Sequence, residues 1–281
     1  MAIKIIPHSI SKELEQELVV YEGEDFHRKV ELENVSSIEE LHQFLDTINH
    51  FSDLKTVFTP TTKNIKLLDI GCGVGFTSLF LATQGYQVTS VEPSLACCKV
   101  LDSVATKLGL SINVVNATAE VIKALDEKFD IAVYHSSLHH CDDPQLALEK
   151  TRECLDAEGK IFLLDEPLLK IYRTKAWFYR TLIEDPVKLG HYGGNEHIYR
   201  IQEYKCFLRN AGFGRIKIIP STTYQKTPQK MVWDNPVRFF VKRCYYTMLQ
   251  RILFHKNIVS KMVSKLLMEL SVVNVIFSAD K

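Results

Sequence analysis

LLDIGCGVGFTSLFLA, residues 67–82, is the stretch of sequence that decides the fold. A short apolar run ends at Asp69, and a helical pattern begins after Gly75. Glycines at positions 71, 73 and 75 permit backbone conformations that other residues avoid, and they let a ligand approach the main chain closely. In an open parallel sheet, ligands bind at such turns, where a strand ends and a helix begins. The spacing here is GxGxG, one residue tighter than the dinucleotide fingerprint GxGxxG.

The surrounding sequence supplies the sheet that such a turn requires. From residue 66, short β-rich runs alternate with helical stretches, which predicts an α/β fold with a parallel sheet and helices on both faces. The runs IAVYH and IFLLD are apolar without a break, as expected of strands that are covered on both sides. The predicted strands are KLLDI, YQVTSV, INVV, DIAVYH, KIFLLD, RIKII and, near the C-terminus, VVNVIFSA.

The two flanks of this alternation differ in charge. Residues 1–60 are acidic, and the capping-box spacing of Ser37 and Glu40 predicts a helix over 38–49. Residues 222–270 are basic, and their apolar positions follow the i, i+3, i+4, i+7 pattern of two amphipathic helices. We therefore expect a helical extension at the N-terminus and a helical insertion before the last strand.

Residues 236–270 of the insertion admit two interpretations. Their apolar stripe could pack on the sheet or form a dimer contact, with the charges as a solvated face. Alternatively, apolar residues beside Arg and Lys have the composition of a helix that lies on an anionic membrane or receives a lipid-linked substrate. The sequence favours packing, and the membrane surface stays open.

The acid Glu92 closes the second strand of the alternation, seventeen residues after Gly75. An ionised carboxylate has two acceptor oxygens, so at this position it can bind both hydroxyls of a ribose. Glycine turn, helix and strand-end acid together predict a nucleoside site.

At these motifs the chain resembles the class I S-adenosylmethionine-dependent methyltransferases, in particular the broad group that acts on small molecules. LLDIGCGVG resembles the family's first motif, SVEPS its second and NATAE its adenine-side motif. FDIAVYHSSLHHCDDP resembles the fourth strand with its loop, and LDAEGKIFLLDEP the fifth strand with its lead-in. The resemblance covers roughly residues 60–170. It implies a Rossmann-like, seven-stranded, mostly parallel sheet, with VVNVIFSA as an antiparallel strand at the edge.

The resemblance also implies how the chain is divided. Residues 1–60 would form a lid and 61–221 the cofactor-binding core, within which 168–212, rich in aromatic residues, would face the acceptor. Residues 222–270 would be the insertion and 271–281 the last core strand.

Ten residues match family positions that bind S-adenosylmethionine. They would hold the methionine end (Asp69, Gly71, Cys72, Gly73), the ribose (Glu92), the adenine (Thr118, Ala119, Glu120) and the wall below the adenine (His135, Ser136). Thr118 stands where the family usually has Asp, so Glu120 is the alternative partner for the adenine amine. DAEG replaces the usual Lys-Pro-Gly-Gly and is expected to alter only that turn.

Methyl transfer from a sulfonium needs an aligned acceptor in a dry pocket, and a hydroxyl acceptor gains from a general base. The candidate bases are His139, His140 and His197, with Glu166 as the carboxylate alternative. Each of them has a structural interpretation instead, as a packing histidine or a solvated strand-end acid. No metal is expected.

The composition restricts the binding partners and the cellular environment that we expect for this chain. Of 281 residues, 34 are basic and 34 acidic, so no global charge calls for nucleic acid. Seven cysteines show no metal-ligand spacing, and neither a signal peptide nor a membrane span is recognised, which favours a cytoplasmic protein. We expect transfer to a small molecule, with oxygen as the preferred acceptor atom, on a glycan, a lipid-linked intermediate or a secondary metabolite. A non-catalytic binding protein and an NAD-dependent oxidoreductase are the alternatives.

Overall fold

The computed structural model describes residues 3–22, 32–47, 51–184, 197–222, 236–254, 257–270 and 274–281. Within these residues eight strands form one sheet. The strands are β1 (Lys4–Ile5), β2 (Lys66–Ile70), β3 (Gln87–Glu92), β4 (Ile112–Asn116), β5 (Phe129–His135), β6 (Leu155–Leu164), β7 (Gly214–Pro220) and β8 (Val275–Asp280). They lie side by side in the order β1-β4-β3-β2-β5-β6-β8-β7.

The sheet confirms the mostly parallel α/β prediction and corrects it in three details. Strands β1 to β6 pair in parallel, whereas β8 pairs antiparallel with both β6 and β7, so β7 and not β8 is the edge strand. Strand β1 is an eighth strand, paired with β4, that the sequence did not predict because it is two residues long. Strand β6 begins at Leu155, so the DAEG segment belongs to the strand.

Ten α-helices of the described residues surround the sheet. They are α1 (Lys12–Glu22), α2 (Ile38–Thr47), α3 (Phe51–Val57), α4 (Phe76–Thr83), α5 (Leu95–Lys107), α6 (Pro144–Cys154), α7 (Lys175–Glu184), α8 (Ile201–Asn210), α9 (Pro236–Phe254) and α10 (Ile258–Glu269). Short 3-10 turns cover Ala119–Leu125 and Leu138–His140.

The two helices of the insertion and the capping-box helix were predicted. Helix α2 begins at Ile38 as expected, with Glu40 accepting from the Ser36 amide, while the Ser37 hydroxyl accepts from the Glu40 amide. Between helices α9 and α10, residues 255–256 lie outside the described residues. None of the described helices is long and apolar enough to cross a membrane.

Two apolar layers sandwich the sheet because successive residues of a strand point to opposite faces. Leu68 joins the layer that includes side chains of α6, α8, α9 and α10. Its neighbour Leu67 joins the layer built with α2, α3, α4 and α5. In β5, Tyr134 and Val133 divide between the layers in the same way.

One buried carboxylate links helix α3 to the residues that follow β7. Asp53 in α3 is 1% exposed. Its Oδ1 accepts from the Thr222 amide at 2.6 Å and from the Thr222 hydroxyl at 2.5 Å, just beyond the end of β7. Both bonds lack solvent competition, so they fix α3 against the edge of the sheet where the strands end.

Replacing Asp53 tests this tie. Asp53→Ala leaves two buried Thr222 donors unpaired, so we expect the free energy of unfolding to fall by about 1–3 kcal/mol, measured by urea denaturation. Asp46→Ala in α2, which removes an exposed ion pair with Lys55, is the matched control and should cost less than about 1 kcal/mol. Equal losses in the two variants would contradict the role of the buried contact.

Candidate active site

A cleft of about 330 Å³ opens where β2, β3, β4 and β5 end. Strand β2 lies between β3 and β5. From β2 the chain continues to β3 and β4 on one side, and it then crosses back to β5 and β6 on the other side. In open α/β sheets this switch point is where ligands bind. Nine of the ten residues that the sequence assigned to a cofactor line the cleft: Gly71, Cys72, Gly73, Glu92, Thr118, Ala119, Glu120, His135 and Ser136.

The glycine turn forms the floor of the cleft. Gly71 has a φ of +70°, and a Cβ at this position would lie 2.6 Å from the Cβ of Ser137 in the loop after β5. Gly73 has a φ of +55° with no atom within 4 Å of where its Cβ would stand, so its backbone borders open space. Glycine is therefore required at 71 for close packing, and at 73 it leaves the main chain accessible to a ligand.

Glu92 is held beside this turn by backbone amides. Its Oε2 accepts from the Gly73 amide at 2.8 Å, and its Oε1 accepts from the Ser94 amide at 2.9 Å. An ionised carboxylate accepts hydrogen bonds at both of its oxygens, and Glu92 also lines the cleft. The two amides fix the orientation of the carboxylate beside the glycine turn.

Asp69 is the one predicted cofactor residue that does not line the cleft. It is 1% exposed, and its Oδ2 accepts from the Ser78 hydroxyl at 2.5 Å. No described residue donates to its Oδ1. Burial raises the pKa of Asp69 to about 7, although the Ser78 bond opposes the rise. A cation bound near the turn would offset this cost.

The adenine-side residues stand at the start of a 3-10 turn. Ala119 is buried, and Thr118 precedes it in an extended conformation that begins the turn. The carboxylate of Glu120 accepts from the Asp143 amide at 3.3 Å, so one of its oxygens already anchors the loop across the cleft. Thr118 and Glu120 both reach the cleft, and the geometry does not single out one of them as a partner for an adenine amine.

His135 and Ser136 form the opposite wall. The Nδ1 of His135 lies 2.7 Å from the Thr77 hydroxyl, and its ring packs edge-on against Phe51 with centroids 5.8 Å apart. Ser136 has a φ of +55°, an uncommon value for a residue with a side chain. The turn that it makes directs the next residues toward the glycine loop.

Glu166 was predicted as a base facing the cleft, and the structure corrects this. Its side chain is 1% exposed and points into the loop after β5. Its oxygens accept from the amides of Ser137, Leu138 and His139 at 3.0, 2.9 and 3.1 Å. The Tyr204 hydroxyl donates to Oε2 at 3.2 Å. Burial alone would raise the pKa of Glu166, but His139 and the amide donors outweigh it and hold the pKa below its ordinary value.

The three histidine candidates occupy different environments. His139 is 3% exposed, and its Nδ1 lies 2.9 Å from the Glu166 carboxylate, so this side chain also belongs to the loop. His140 lines the cleft, with its ring centroid 4.0 Å from that of His139. His197 lies outside the cleft beside Tyr199. Of the candidate bases, His140 alone meets the cleft.

Comparisons with known proteins agree with this arrangement. A family model described as a methyltransferase domain matches residues 68–163. A ubiquinone biosynthesis O-methyltransferase from Cereibacter sphaeroides (strain ATCC 17029 / ATH 2.4.9) is 34% identical over 97 residues, or 34% of this chain and 39% of that relative. One from Bartonella tribocorum is 30% identical over 152 residues, or 52% and 55%. The chain thus spans about half or less of the length of these relatives.

Solved structures extend the similarity beyond this domain. Geranyl diphosphate C-methyltransferase from Streptomyces coelicolor A3(2) superposes with a TM-score of 0.61, covering 98% of this chain and 99% of that one at 11% identity. The [4+2]-cyclase SpnF superposes with a TM-score of 0.53, covering 83% and 80% at 18% identity. At these identities the likeness shows a common fold, and a fold does not by itself specify the reaction.

Residues 68–163 of this chain match a methyltransferase domain, which confirms the resemblance to the class I S-adenosylmethionine-dependent methyltransferases. S-adenosylmethionine is the cofactor of this family, which confirms the cofactor predicted from the sequence. The residue-by-residue assignments made above remain predictions.

The methyltransferase cleft is covered from one side by helix α1. Leu14 and Leu18 of this helix line the cleft. The Ser11 amide and hydroxyl donate to the two carboxylate oxygens of Asp142 at 3.0 and 2.6 Å, and the Ser11 hydroxyl accepts from the Leu14 amide. The start of the helix is therefore fixed to the loop that carries His140.

Several lining residues were not predicted from the sequence. Leu14 and Leu18 lie in an 11-residue helix with a weak apolar pattern, and Phe51 and Phe76 resemble ordinary core positions. Conversely, no described residue of 168–212 lines the cleft, although that segment was expected to face the acceptor. Within that segment, residues 185–196 lie outside the described residues.

The pKa of Asp69 generates a pH test. An unfolded aspartate ionises at about 3.9, so folding takes up a proton between about pH 4 and 7, and stability from this group falls as the pH rises. Asp69→Asn removes the contribution. We expect wild type to lose up to about 1.4 kcal/mol per pH unit relative to Asp69→Asn over that window in urea denaturation.

The surface change Asp156→Asn is the matched control and should alter stability by less than about 0.5 kcal/mol. A difference between wild type and Asp69→Asn that stays constant from pH 4 to 7 would show that Asp69 is already ionised in the folded chain.

Proposed function

We propose that this chain transfers a methyl group from S-adenosylmethionine to the oxygen of an uncharged, largely apolar small molecule. The observation that carries the proposal is the paired geometry of the glycine turn and Glu92. An accessible main chain at Gly73 adjoins a carboxylate that two amides orient toward the same cleft.

The residues present fit the cofactor. The Oδ1 of buried Asp69 is without a donor among the described residues, and a cationic methionine end near the turn supplies the positive charge that this carboxylate lacks. Glu92 accepts from the ribose hydroxyls, and Ala119 and His135 bound the space for the adenine. We assign Asp69 an electrostatic role through the turn, since its side chain does not border the cleft.

When bound, S-adenosylmethionine supplies an electrophilic methyl group whose transfer is an in-line displacement. Because charge disperses in that reaction, the protein's task is to align the acceptor and to exclude water. Helix α1 does the second with Leu14 and Leu18, which cover the cleft with apolar surface. The lid proposed for residues 1–60 therefore includes at least this helix.

The charge of the cleft selects the acceptor. Its described lining contains the carboxylates Glu92, Glu120 and Asp142 and no Lys or Arg. A phosphate or carboxylate group would be repelled there, whereas the apolar side chains of Leu14 and Phe51 suit a ring or an alkyl chain. We therefore place an apolar secondary metabolite or the neutral part of a lipid-linked compound ahead of a glycan.

His140 is the proposed general base. It borders the cleft, whereas His139 and Glu166 are engaged with one another inside the loop. In transfer to a hydroxyl acceptor, His140 would accept the proton that the hydroxyl loses. The oxygen acceptor is also supported by the printed name of the relatives, ubiquinone biosynthesis O-methyltransferase.

The alternatives make different predictions about binding. A non-catalytic protein of this fold would bind the cofactor or nothing, and would not release S-adenosylhomocysteine. An NAD-dependent oxidoreductase would bind NAD, for which the GxGxG turn is one residue too short.

Cofactor binding tests the role of Glu92. Thermal unfolding with S-adenosylmethionine or S-adenosylhomocysteine at about 100 times the Kd should show stabilisation by about 2.7 kcal/mol, and NAD should give no shift. Glu92→Gln weakens the charged hydrogen bonds to the ribose, so its Kd should rise about 10- to 100-fold by calorimetry.

Glu127→Gln is the matched control for Glu92→Gln, since Glu127 pairs with Lys66 at the opposite end of β2 and should leave the Kd unchanged. Equal affinity in wild type and in Glu92→Gln would contradict the ribose assignment, provided that both proteins melt cooperatively.

Turnover tests His140. With a panel of catechol, alkylamine and alkylthiol acceptors, S-adenosylhomocysteine release should be detected with the hydroxyl compound. His140→Ala should lower kcat by about 10²- to 10⁴-fold while the S-adenosylhomocysteine Kd stays within about twofold of wild type.

His197→Ala, outside the cleft, is the control for His140→Ala and should keep wild-type turnover. A His140→Ala protein with unchanged kcat would show that proximity alone drives the transfer, and release with the amine alone would overturn the oxygen assignment.

A further inference from the structure

Helix α10 exposes an apolar face that nothing described in the chain covers. Ile258, Val259, Met262 and Leu266, hereafter the α10 face, are 56–77% exposed. They follow helical spacing, so their side chains lie on one side of the helix. Four contiguous large apolar residues at this exposure form a patch, which differs from the singly scattered apolar residues of ordinary surfaces.

The side of α10 opposite to the α10 face packs against the rest of the chain, so the α10 face points outward. Met268 is buried in the layer that also contains β8, and Ser264 is buried beside it. Separately, at the C-terminal end of the helix, Glu269 accepts from the Lys205 ammonium at 2.6 Å and from the Gln202 amide at 2.7 Å, which ties this end to α8. A rotation that buried the α10 face would break these contacts.

Positive charge borders the α10 face. Lys261 and Lys265 project from the same helix, and both are exposed. Helix α9 adds Arg243 and Arg251, which are exposed as well. Within residues 236–254 and 257–270 the single acidic residue is Glu269, already paired with Lys205.

Other exposed aromatic and apolar groups lie on α9 and around the start of α7. Phe240, Tyr245 and Met248 of α9 are exposed, as is Tyr172. The Arg173 guanidinium stacks 3.5 Å from the centre of the Trp177 ring. Aromatic rings beside basic groups are typical of the boundary between water and lipid.

We propose that the α10 face, with its border of Lys and Arg, is a docking surface for a membrane of anionic phospholipid. Burial of the four apolar side chains among the acyl chains and attraction of the cations to the head groups both favour this partner. A second copy of the chain fits less well, because a two-fold contact through this surface brings Lys261 and Lys265 near their own equivalents. The proposal does not depend on the methyl acceptor.

Co-sedimentation of the full chain with vesicles tests the proposal. We expect binding to vesicles of 70% phosphatidylcholine and 30% phosphatidylglycerol, little binding to pure phosphatidylcholine, and loss of binding between 50 and 500 mM NaCl, about the range over which screening becomes short-ranged. Met262→Asp/Leu266→Asp should weaken binding at least about tenfold, and Lys261→Glu/Lys265→Glu about 25-fold, at roughly fivefold per cation.

Matched controls distinguish an effect of the α10 face from a general effect of surface charge. Val19→Asp adds an acid at an exposed apolar residue of α1, and Lys4→Glu/Lys63→Glu reverses two exposed lysines, one of them in β1 at the opposite edge of the sheet. Both should bind anionic vesicles like wild type. The melting temperature of every variant should stay within a few degrees of wild type, since all the changed side chains are exposed.

Two results would overturn the proposal. One is absence of binding by the intact chain to anionic vesicles at 50 mM NaCl. The other is a dimer in light scattering that Met262→Asp/Leu266→Asp converts to monomer without any change in vesicle binding, which would identify the α10 face as a self-contact.

Discussion

The buried carboxylate of Glu166 is the constraint on which the cleft depends. A charge removed from water must be compensated, and here three consecutive amides, a histidine and the Tyr204 hydroxyl do so. Those amides belong to the loop after β5, so satisfying the charge fixes the loop. The fixed loop then brings Ser137 against Gly71, where a Cβ would not fit, and its hydroxyl donates to the Ile70 carbonyl at 2.6 Å. The glycine turn and the histidine loop consequently meet in one geometry.

Three acids at the ends of neighbouring strands have different roles because their donors differ. Glu166 is surrounded by donors and stays ionised although buried. Glu92 accepts from a backbone amide at each oxygen and lines the cleft. Asp69 receives a single hydroxyl, and burial therefore raises its pKa toward neutrality. The sequence shows three strand-end carboxylates, whereas the number of donors around each determines which is structural, which binds and which is available to respond to a cation.

The features that were predictable are those encoded in short segments. Alternating strands and helices, the turn glycines, Glu92 and the helices α2, α9 and α10 each follow from neighbouring residues, and the structure has them where expected. The position of Glu166 was predicted wrongly because a strand-end acid has the same sequence pattern whether its side chain faces a cleft or a loop. Tyr204, 38 residues away, donates to the carboxylate and helps to hold it in the loop. Likewise, the weak apolar pattern of α1 does not indicate that Leu14 and Leu18 cover the cleft. Strand β8 lies one position in from the edge of the sheet because β7 pairs with its outer side. No local sequence pattern determines that pairing.

The two proposed surfaces, the cleft and the α10 face, carry opposite charge, and this difference determines which molecules could pass from one to the other. The cleft is lined by carboxylates, whereas the α10 face is bordered by Lys and Arg. A membrane that attracts the second surface through its phosphates is repelled by the first, so lipid head groups do not compete for the acceptor position. What can leave such a membrane and enter the cleft is a molecule without phosphate that is soluble in the acyl layer. An apolar compound with one reactive hydroxyl satisfies both surfaces, whereas an anionic sugar fits neither the cleft nor the apolar side chains of Leu14 and Leu18 above it.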